Sequence, residues 1–166
     1  MTTESLIDEE SAAQVGTIAA TATGEANRRD WQRWAASVGD HNPLWFDADY
    51  ARANGYDDVI CPPLYLQYCV LPVTSLEGLR PDGSSGAVSG GLAFPRAPKR
   101  MAGGESTTFH LPCYHRDEVE MVRTIESIIE KHGRSGSFVL VTWHTSYRNQ
   151  RSELVAEATT SMIARP

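Results

Sequence analysis

Residues 137–147 read SFVLVTWHTSY, a stretch in which apolar and polar side chains alternate. One side of the extended chain carries Val139, Val141, Trp143 and Tyr147, and the opposite side carries Thr142, His144 and Ser146. A period of two is typical of a β-strand that packs one face on a core. The stretch therefore predicts a strand with one buried face.

Three other segments of the second half have the same period. They are STTFHL (106–111), VEMVRTIESII (119–129) and ELVAEATTSMI (153–163). Turn-like connections, PCYHRDE, EKHGRSG and RNQRS, separate the four segments. Four consecutive strands with short connections predict an antiparallel sheet.

The segment LYLQYCVL (64–71) follows Pro62 and Pro63 and is apolar on nearly all sides. Proline is favoured in the first turn of a helix, and Pro72 ends or kinks the helix that follows. A helix without a polar face needs to be surrounded. We therefore predict an α+β fold in which the antiparallel sheet wraps around a central apolar helix.

The N-terminal part of the sequence predicts two short elements before this helix. Ser5 with Asp8 three positions later predicts a capped helix over residues 6–14. The Thr-containing stretch 15–23 predicts a first strand.

Two further helices are predicted by their capping residues. Asn27 begins the first, and Gly39 ends it. Its apolar stripe is Trp31, Trp34, Ala35 and Val38, spaced i, i+3, i+4, i+7. The second helix lies between Asp47 as N-cap and Gly55 as C-cap.

Residues 80–104 are rich in Gly, Ser and Pro and predict a long surface loop. A loop of that length in a compact domain is usually functional or mobile. The whole chain of 166 residues, 41% of them hydrophobic, is typical of one domain. We expect a single domain over residues 1–166.

Charge and composition exclude several classes of protein. The net charge is -6 and the basic residues are scattered apart from a short cluster at Arg96, Lys99 and Arg100, so we expect no nucleic-acid partner. No apolar run approaches the roughly 20 residues that a membrane helix requires, and the acidic start MTTESLIDEE is unlike an export signal. We expect a cytoplasmic protein without a membrane partner.

The metal-ligating residue types also lack a site pattern. Cys61, Cys69 and Cys113 have neither CxxC nor Cys/His spacing, and reduced, buried thiols are expected for them. The five histidines form no pair that would share a helical face. We predict no metal and no cofactor.

The segment from Trp34 to Pro63, WAASVGDHNPLWFDADYARANGYDDVICPP, resembles the signature of MaoC-like hydratases and dehydratases, G-D-x-N-P-[LI]-H followed by a short helix. HLPCYHRDEVE (110–120) and YRNQRSELVAEATTSMI (147–163) resemble the strand-turn and closing hairpin of that family. The resemblance covers about residues 12–164. It implies a hot-dog fold, like that of the N-terminal-type MaoC domain of acyl dehydratases.

The family resemblance implies syn addition of water to an enoyl thioester, or its reverse, by a carboxylate and an imidazole that share one water. Asp40 falls on the catalytic aspartate. The family's histidine falls on Trp45, whose indole donates one hydrogen bond and accepts none. The oxyanion amide at the helix start falls on Pro62-Pro63, which have no N–H, so Leu64 must supply it or it is absent.

Other side chains near this motif have functional and structural interpretations. His41 is a candidate replacement imidazole, although neighbours in an extended chain point to opposite sides. Asn42 before Pro43 predicts an Asx-type turn that sets the loop beneath Asp40. Trp45 is a candidate lining of an acyl tunnel or a plain core indole.

Residues outside the motif supply further candidates. His110 and His144 lie on predicted strands and are candidates to approach the cleft from the sheet side. Arg96, Lys99 and Arg100 form a basic cluster that either meets the phosphates of coenzyme A or a carrier arm, or is simply solvated.

The resemblance implies a dimer, either a homodimer or a heterodimer with a second MaoC-like chain. Our first hypothesis is a subunit of an (R)-specific enoyl-CoA hydratase or 3-hydroxyacyl-thioester dehydratase that binds acyl-CoA or an acyl-carrier thioester through Asn42, Trp45, Pro63 and Leu64. The second is an enzyme competent alone on an unusual acyl thioester, with Asp40 and His41 or another histidine as catalytic groups. The third is a non-catalytic thioester-binding or assembly module.

Overall fold

The computed structural model describes residues 5–72, 75–79, 81, 83, 92–134 and 136–166. Its α-helices are α1 (Glu9–Ala12), α2 (Arg28–Ser37), α3 (Ala48–Ala53) and α4 (Leu66–Val70). Short 3-10 turns cover Pro43–Trp45, Pro63–Tyr65 and Leu76–Gly78. The strands are β1 (Ile18–Glu25), β2 (Lys99–Phe109), β3 (Glu118–Gly133), β4 (Gly136–Asn149) and β5 (Leu154–Arg165).

The five strands form one antiparallel sheet in the order β1-β3-β4-β5-β2. The four strands predicted in the second half of the chain are confirmed. Their order is not the sequential one, because β2 pairs with β5 and lies at one edge of the sheet, while β1 lies at the other. The alternation in β4 is also confirmed: Val139, Val141, Trp143 and Tyr147 are all buried.

Two apolar clusters cover the inner face of this sheet. One contains side chains of α2, α4 and the segment between them, among which Trp31 and Ala35 are fully buried. The other packs Leu92, Phe94 and Ala97 against the far half of β4 and β5. Leu92, Phe94 and Ala97 thus belong to the core, whereas the residues between them are exposed.

The prediction of a surface loop over 80–104 is therefore wrong for much of its length. Leu92 and Phe94 are 1% and 2% exposed, because their apolar side chains fill space over the sheet that would otherwise remain open. Residues 99–104 belong to β2. Residues 80, 82 and 84–91 lie outside the described part of the chain.

The capping residues predicted the bounds of α2 and α3. The side chain of Asn27 accepts a hydrogen bond from the amide of Arg29, and Gly39 has a φ of +74° just beyond the end of α2. Asp47 likewise caps α3, and Gly55, with a φ of +89°, follows its last residue by two. Val38 is 59% exposed, so the predicted apolar stripe is one residue too long.

The first helix and strand are shorter than predicted or shifted. Asp8, rather than Ser5, caps α1, because its carboxylate accepts from the amide of Ser11. The hydroxyl of Ser5 instead donates to Glu130 of β3. Gly16 has a φ of +84°, and β1 begins only at Ile18.

The central helix α4 is short, and part of its surface stays open. Only Leu66 and Val70 are buried in it, whereas Leu64, Tyr68 and Leu71 are 59%, 45% and 54% exposed. The sheet wraps around this apolar helix as predicted, while the side chains of Leu64, Tyr68 and Leu71 stay exposed. In the part of the chain that is described, helices are too short or too polar to cross a membrane.

The backbone of α4 lies directly on β1. A Cβ atom added to Gly24 would overlap the carbonyl oxygen of Cys69. Only glycine permits this approach, so Gly24 fixes the distance between α4 and the sheet.

Candidate active site

Asp40 lies in the loop between α2 and the 3-10 turn Pro43–Trp45, and it is half-buried. Its amide donates to the carbonyl of Ala35 at 2.8 Å, which ties the loop to the last turn of α2. Its Oδ1 accepts from the amide of Asn42 at 3.2 Å. The carboxylate is thus held in a fixed position by its own loop.

Trp45 donates a second hydrogen bond to this carboxylate. Its indole Nε1–H donates to Oδ2 of Asp40 at 2.9 Å, and the ring is only 6% exposed. The side chain of Gln32 donates to the carbonyl of Trp45 at 2.9 Å. Trp45 therefore packs in the core and contacts Asp40 directly, a contact that the sequence analysis did not predict.

Asn42 and His41, which follow Asp40 in the chain, differ in their contacts with this loop. The side-chain oxygen of Asn42 accepts from the amide of Leu44 at 3.1 Å and begins the 3-10 turn, as the Asx-type turn predicted. His41 is exposed. The loop therefore brings Asp40, Asn42 and Trp45 together and leaves the imidazole of His41 in solvent.

Pro63 and Leu64 lie at a different place, where α4 begins. Leu64 supplies the first backbone amide after the two prolines. The next amide, that of Tyr65, already donates to the carbonyl of Pro62 at 2.8 Å. Leu64 is 59% exposed. An oxyanion at this helix start would have the Leu64 amide as its nearest backbone donor in this turn.

Two cavities adjoin Pro63. The first, the strand cavity, lies between α4 and the inner face of β2, β4 and β5; its polar side chains are Gln67, Glu105, Thr107 and Tyr147. Burial raises the pKa of Tyr147.

The second, the loop cavity, measures about 220 Å³ and lies between residues 56–63 and residues 109–113. Its walls are mostly apolar and include Ile60, Leu66, Phe109, Leu111 and Val155. Among the described residues that line either cavity, neither Asp40 nor Trp45 is found. The predicted site residues thus form two groups in this chain.

His110 is the histidine that approaches a cavity. It follows β2, lines the loop cavity, and its Nε2 lies 3.2 Å from Oε1 of Glu157. The Nε2 of His144 lies 3.4 Å from the other oxygen of the same carboxylate. Hydrogen bonds with His110 and His144 lower the pKa of Glu157.

The basic cluster does not face these cavities. Lys99 donates to the carbonyl of Pro166 at 2.9 Å, and Arg100 donates to the carbonyl of Leu92 at 2.7 Å. Arg96 lies close enough to Asp8 and Glu130 to help lower the pKa of both carboxyls, after the hydrogen bonds to Ser11 and Leu6 that dominate. The three cations therefore contact the protein itself at the end of the sheet.

A protein-family model described as the FAS1-like dehydratase domain region matches residues 13–158. The chain belongs to this dehydratase family. The match includes the Asp40 loop, the start of α4, and most of the sheet, so it spans both groups of candidate site residues.

Two relatives of this chain differ in how much of their length the chain covers. A UPF0336 protein of Parafrankia sp. (strain EAN1pec) is 32% identical over 85% of this chain and 84% of the relative. The probable enoyl-CoA hydratase alpha subunit of Thermomonospora curvata is 27% identical over 75% of this chain but only 40% of that protein. This chain therefore spans less than half of the second relative.

The fold of this chain is shared with solved structures. A chain of the ChsH1-ChsH2 complex from Mycobacterium tuberculosis has a TM-score of 0.76 and 20% identity, covering 93% of this chain and 94% of that one. The predicted hot-dog fold and the MaoC-like family are thus confirmed.

Proposed function

We propose that this chain is one subunit of an (R)-specific enoyl-CoA hydratase or 3-hydroxyacyl-thioester dehydratase. In this proposal it binds the acyl thioester and pairs with a second MaoC-like chain that brings an intact Asp/His pair. The observation that carries the proposal is the hydrogen bond from the Trp45 indole to Asp40.

The chemistry explains why this hydrogen bond matters. Addition of water across an enoyl thioester needs one group that takes a proton from the water and one that delivers a proton to carbon. The indole of Trp45 can do neither, and it already occupies Oδ2 of Asp40. Loss of general acid/base help typically costs about 10² to 10⁴ in rate.

The start of α4 also lacks hydrogen-bond donors that this reaction uses. A transition state with charge on the thioester oxygen is stabilised by preorganised N–H donors. Pro62 and Pro63 offer none, so the amide of Leu64 remains. Loss of one such donor typically costs about 10² to 10³ in rate. A chain with both changes would hydrate thioesters poorly by itself.

The cavities beside Pro63 support a role in binding. A cavity of roughly 150 Å³ can admit a benzene-sized molecule, and the loop cavity is about 220 Å³ with mostly apolar walls. It therefore has room for a short acyl chain. Pro63 and Leu64 would then contact the thioester where it enters.

The exposed side of the sheet supports pairing with a second chain. β2 is an edge strand of eleven residues, and Thr107 alone among them is half-buried rather than exposed. Leu64 and Phe109 lie together at the strand cavity and are 59% and 42% exposed, and Tyr68, Leu71 and Met101 are also exposed. A second hot-dog chain laid against this edge would extend the sheet and cover those side chains. The ChsH1-ChsH2 complex, whose chain shares this fold, is itself an assembly of two proteins.

The test compares the chain alone with the chain beside a partner. Isolated chain should bind crotonyl-CoA but hydrate it far below ordinary enzyme rates. Native protein should co-purify with a second hot-dog chain that carries G-D-x-N-P-x-H, and the pair should be active. Ordinary turnover by the isolated chain would overturn the subunit proposal.

The position of His110 favours a second candidate, an enzyme competent alone. His110 lines the loop cavity, and its imidazole is paired with Glu157. In this case His110→Gln would abolish turnover by the isolated chain, whereas His132→Gln, on the distant β3–β4 hairpin, would not. Binding of acyl-CoA without turnover, with and without a partner, would instead indicate a binding module.

A further inference from the structure

The outer face of the sheet points away from α2 and α4. In β4 the inner-facing side chains are buried, whereas Phe138, Leu140 and Thr142, which alternate with them, are half-buried on the outer face. Residues that lie directly opposite each other on antiparallel strands share one face. The strand pairing therefore places each outer residue of β4 in a row with its partners on the neighbouring strands.

One of these rows is apolar on four strands. Leu140 pairs with Ile129 of β3 and with Ile163 of β5. Ile163 pairs in turn with Met101 of β2. Ile129 and Met101 are 47% and 52% exposed, and the two residues between them are half-buried. These four side chains form a continuous strip across the outer face, the apolar row.

The next row, nearer the β3–β4 hairpin, is cationic. Lys131 of β3 pairs with Phe138 of β4. The guanidinium carbon of Arg165 lies 5.6 Å from the centroid of the Phe138 ring, and Lys99 of β2 pairs with Arg165. Lys99, Lys131 and Arg165 form the cation row.

The cation row carries an excess of positive charge. In the part of the chain that is described, no Asp or Glu side chain lies within ion-pair distance of its three members. Lys99 donates to the carbonyl of Pro166 at 2.9 Å. The carboxylate of Glu130, next to Lys131 in sequence, accepts from the Leu6 amide on the inner side of β3, where Leu6 packs on the core. A ligand of this row would therefore be acidic.

The row on the other side of the apolar row is polar and small. It contains Ser127, Thr142 and Ser161, which pair across β3, β4 and β5. The apolar strip is thus a single side chain wide. A helix presents an apolar stripe of comparable shape, whereas a flat surface such as a membrane meets a broad area.

The spacing of the rows matches the dimensions of an α-helix. Neighbouring strands lie about 4.8 Å apart, so the apolar row is about 14 Å long and offers one side chain per strand. A helix rises about 5.4 Å per turn and is about 10 Å wide. Laid across the strands, it would set one side chain per turn on the apolar row. Rows on one face lie about 6.6 Å apart, so the flank of the same helix would lie over the cation row.

We propose that the outer face binds an acidic amphipathic helix of a partner protein, laid across β3, β4, β5 and β2. Apolar side chains of that helix at i, i+3, i+4 and i+7 pack on the apolar row, and its Glu or Asp side chains on one flank pair with the cation row. Complementary charges at the rim of the contact fix the orientation of the helix. At the β2 end, a hollow of about 550 Å³ lined by Lys99, Met101 and Arg165 gives the end of the helix room.

This surface is separate from the pairing proposed above. Ile129, Leu140 and Ile163 lie on strands inside the β2 edge, so a chain that extends the sheet at that edge leaves them open. The inference does not depend on hydratase activity, because it concerns the face of the sheet opposite to the candidate site.

The experiment uses the folded, full chain and a synthetic helical peptide of about 14 residues, long enough to cross four strands. The peptide carries Leu at i, i+3, i+4 and i+7, Glu on one flank and Ala elsewhere. A matched peptide with Lys in place of Glu is the control. In NMR titrations of the nitrogen-15-labelled chain, the Glu peptide should shift the amide signals of Ile129, Lys131, Leu140 and Ile163. Equal shifts with both peptides, shifts confined to α4, or no shifts would overturn the proposal.

Variants at the two rows give an independent measurement of peptide affinity. Lys131→Glu should weaken binding of the Glu peptide about threefold to tenfold, because it replaces an attraction at the surface by a repulsion. Arg33→Glu, at an exposed position of α2, makes the same change of charge and should not alter binding. Ile129→Thr keeps a β-branched residue in β3 and should also weaken binding. Unchanged affinity in both Lys131→Glu and Ile129→Thr would refute the assigned surface.

Vesicles distinguish the helix from a lipid surface. The chain should not sediment with vesicles of phosphatidylcholine and phosphatidylglycerol. Sedimentation that Lys131→Glu abolishes, in a chain that does not respond to the Glu peptide, would assign the outer face to an anionic membrane and overturn the proposal of a protein helix.

Discussion

The indole Nε1 of Trp45 donates a 2.9 Å hydrogen bond to Oδ2 of Asp40. By resemblance to the family, Trp45 stands where the histidine of the catalytic pair would stand. The residue that replaces the histidine therefore still contacts the carboxylate, but with a group that cannot move a proton. On that resemblance, Trp45 keeps a contact with the carboxylate but has no group that accepts a proton.

Restoring the imidazole should restore part of that chemistry. We expect Trp45→His to raise hydration of crotonyl-CoA by the isolated chain by roughly 10², the lower end of general acid/base effects, because the Leu64 amide alone serves the oxyanion. Trp45→Phe is the matched control, since it removes the indole N–H without supplying an imidazole. The double variant Trp45→His with Asp40→Asn should lose the gain. A folded Trp45→His variant no faster than Trp45→Phe would refute this prediction.

Asp40 should also contribute to stability. Asp40→Ala removes the acceptor of the buried Trp45 indole and of the Asn42 amide, and an unpaired buried donor costs about 1–3 kcal/mol. The expected loss in the free energy of unfolding has that size in urea denaturation. Asp40→Asn keeps a carbonyl acceptor and should lose less. Equal stability of Asp40→Ala and wild type would show that the hydrogen bonds do not hold the loop.

Gly24 should tolerate no side chain. A Cβ there would overlap the Cys69 carbonyl oxygen, which belongs to the backbone and cannot rotate away, so Gly24→Ala must push α4 off the sheet. Overpacking of this kind typically costs about 1–3 kcal/mol or more. Gly104→Ala is the control in another strand. The Cβ atom added there would lie 4.0 Å from the Ser161 hydroxyl, an ordinary van der Waals contact without overlap. Thermal unfolding should separate the two variants clearly.

Asp58 should make stability depend on acid pH. A hydrogen bond from the Val59 amide, and after it the Arg28 guanidinium, lower the pKa of Asp58 below its ordinary 3.8. Folding therefore favours the ionised carboxylate. Its contribution is complete above the unfolded pKa and is lost as pH falls through the lower folded pKa.

The measurement follows urea midpoints of wild type and Asp58→Asn between pH 7 and pH 3. The difference between them should stay constant down to about pH 5 and shrink below the ordinary pKa of 3.8. Asp57→Asn, at the exposed neighbour, is the control for the loss of one negative charge from the same loop. A gap that widens on acidification would reverse the sign argued here.

Local patterns in the sequence predicted the local elements well. Asn27 and Asp47 cap the helices where predicted, and the alternation in residues 137–147 identified the buried face of β4. These features depend on neighbouring residues alone, since a cap or an alternating strand is recognised within a few positions. The family motif likewise identified the Asp40 loop and the fold.

Features that depend on long-range packing were not predictable in this way. Leu92 and Phe94 lie in a Gly- and Pro-rich stretch, and only the space above β4 and β5 explains their burial. The contact between Trp45 and Asp40 depends on how the 3-10 turn folds the indole back, which spacing alone does not specify. The backbone hydrogen bond between Cys61 and Cys113 joins two separate segments, so each cysteine taken singly suggested only a buried thiol.

The free edge of β2 has a consequence for handling the protein. β2 is eleven residues long, and on the side away from β5 its backbone N–H and C=O groups face no other strand; such an edge promotes aggregation when it is long and uncovered. We therefore expect the chain produced by itself to precipitate readily and to melt at a temperature that rises with its concentration, since self-association protects the folded form by mass action. Co-expression with a cognate chain should raise the yield of soluble protein above that of solitary expression.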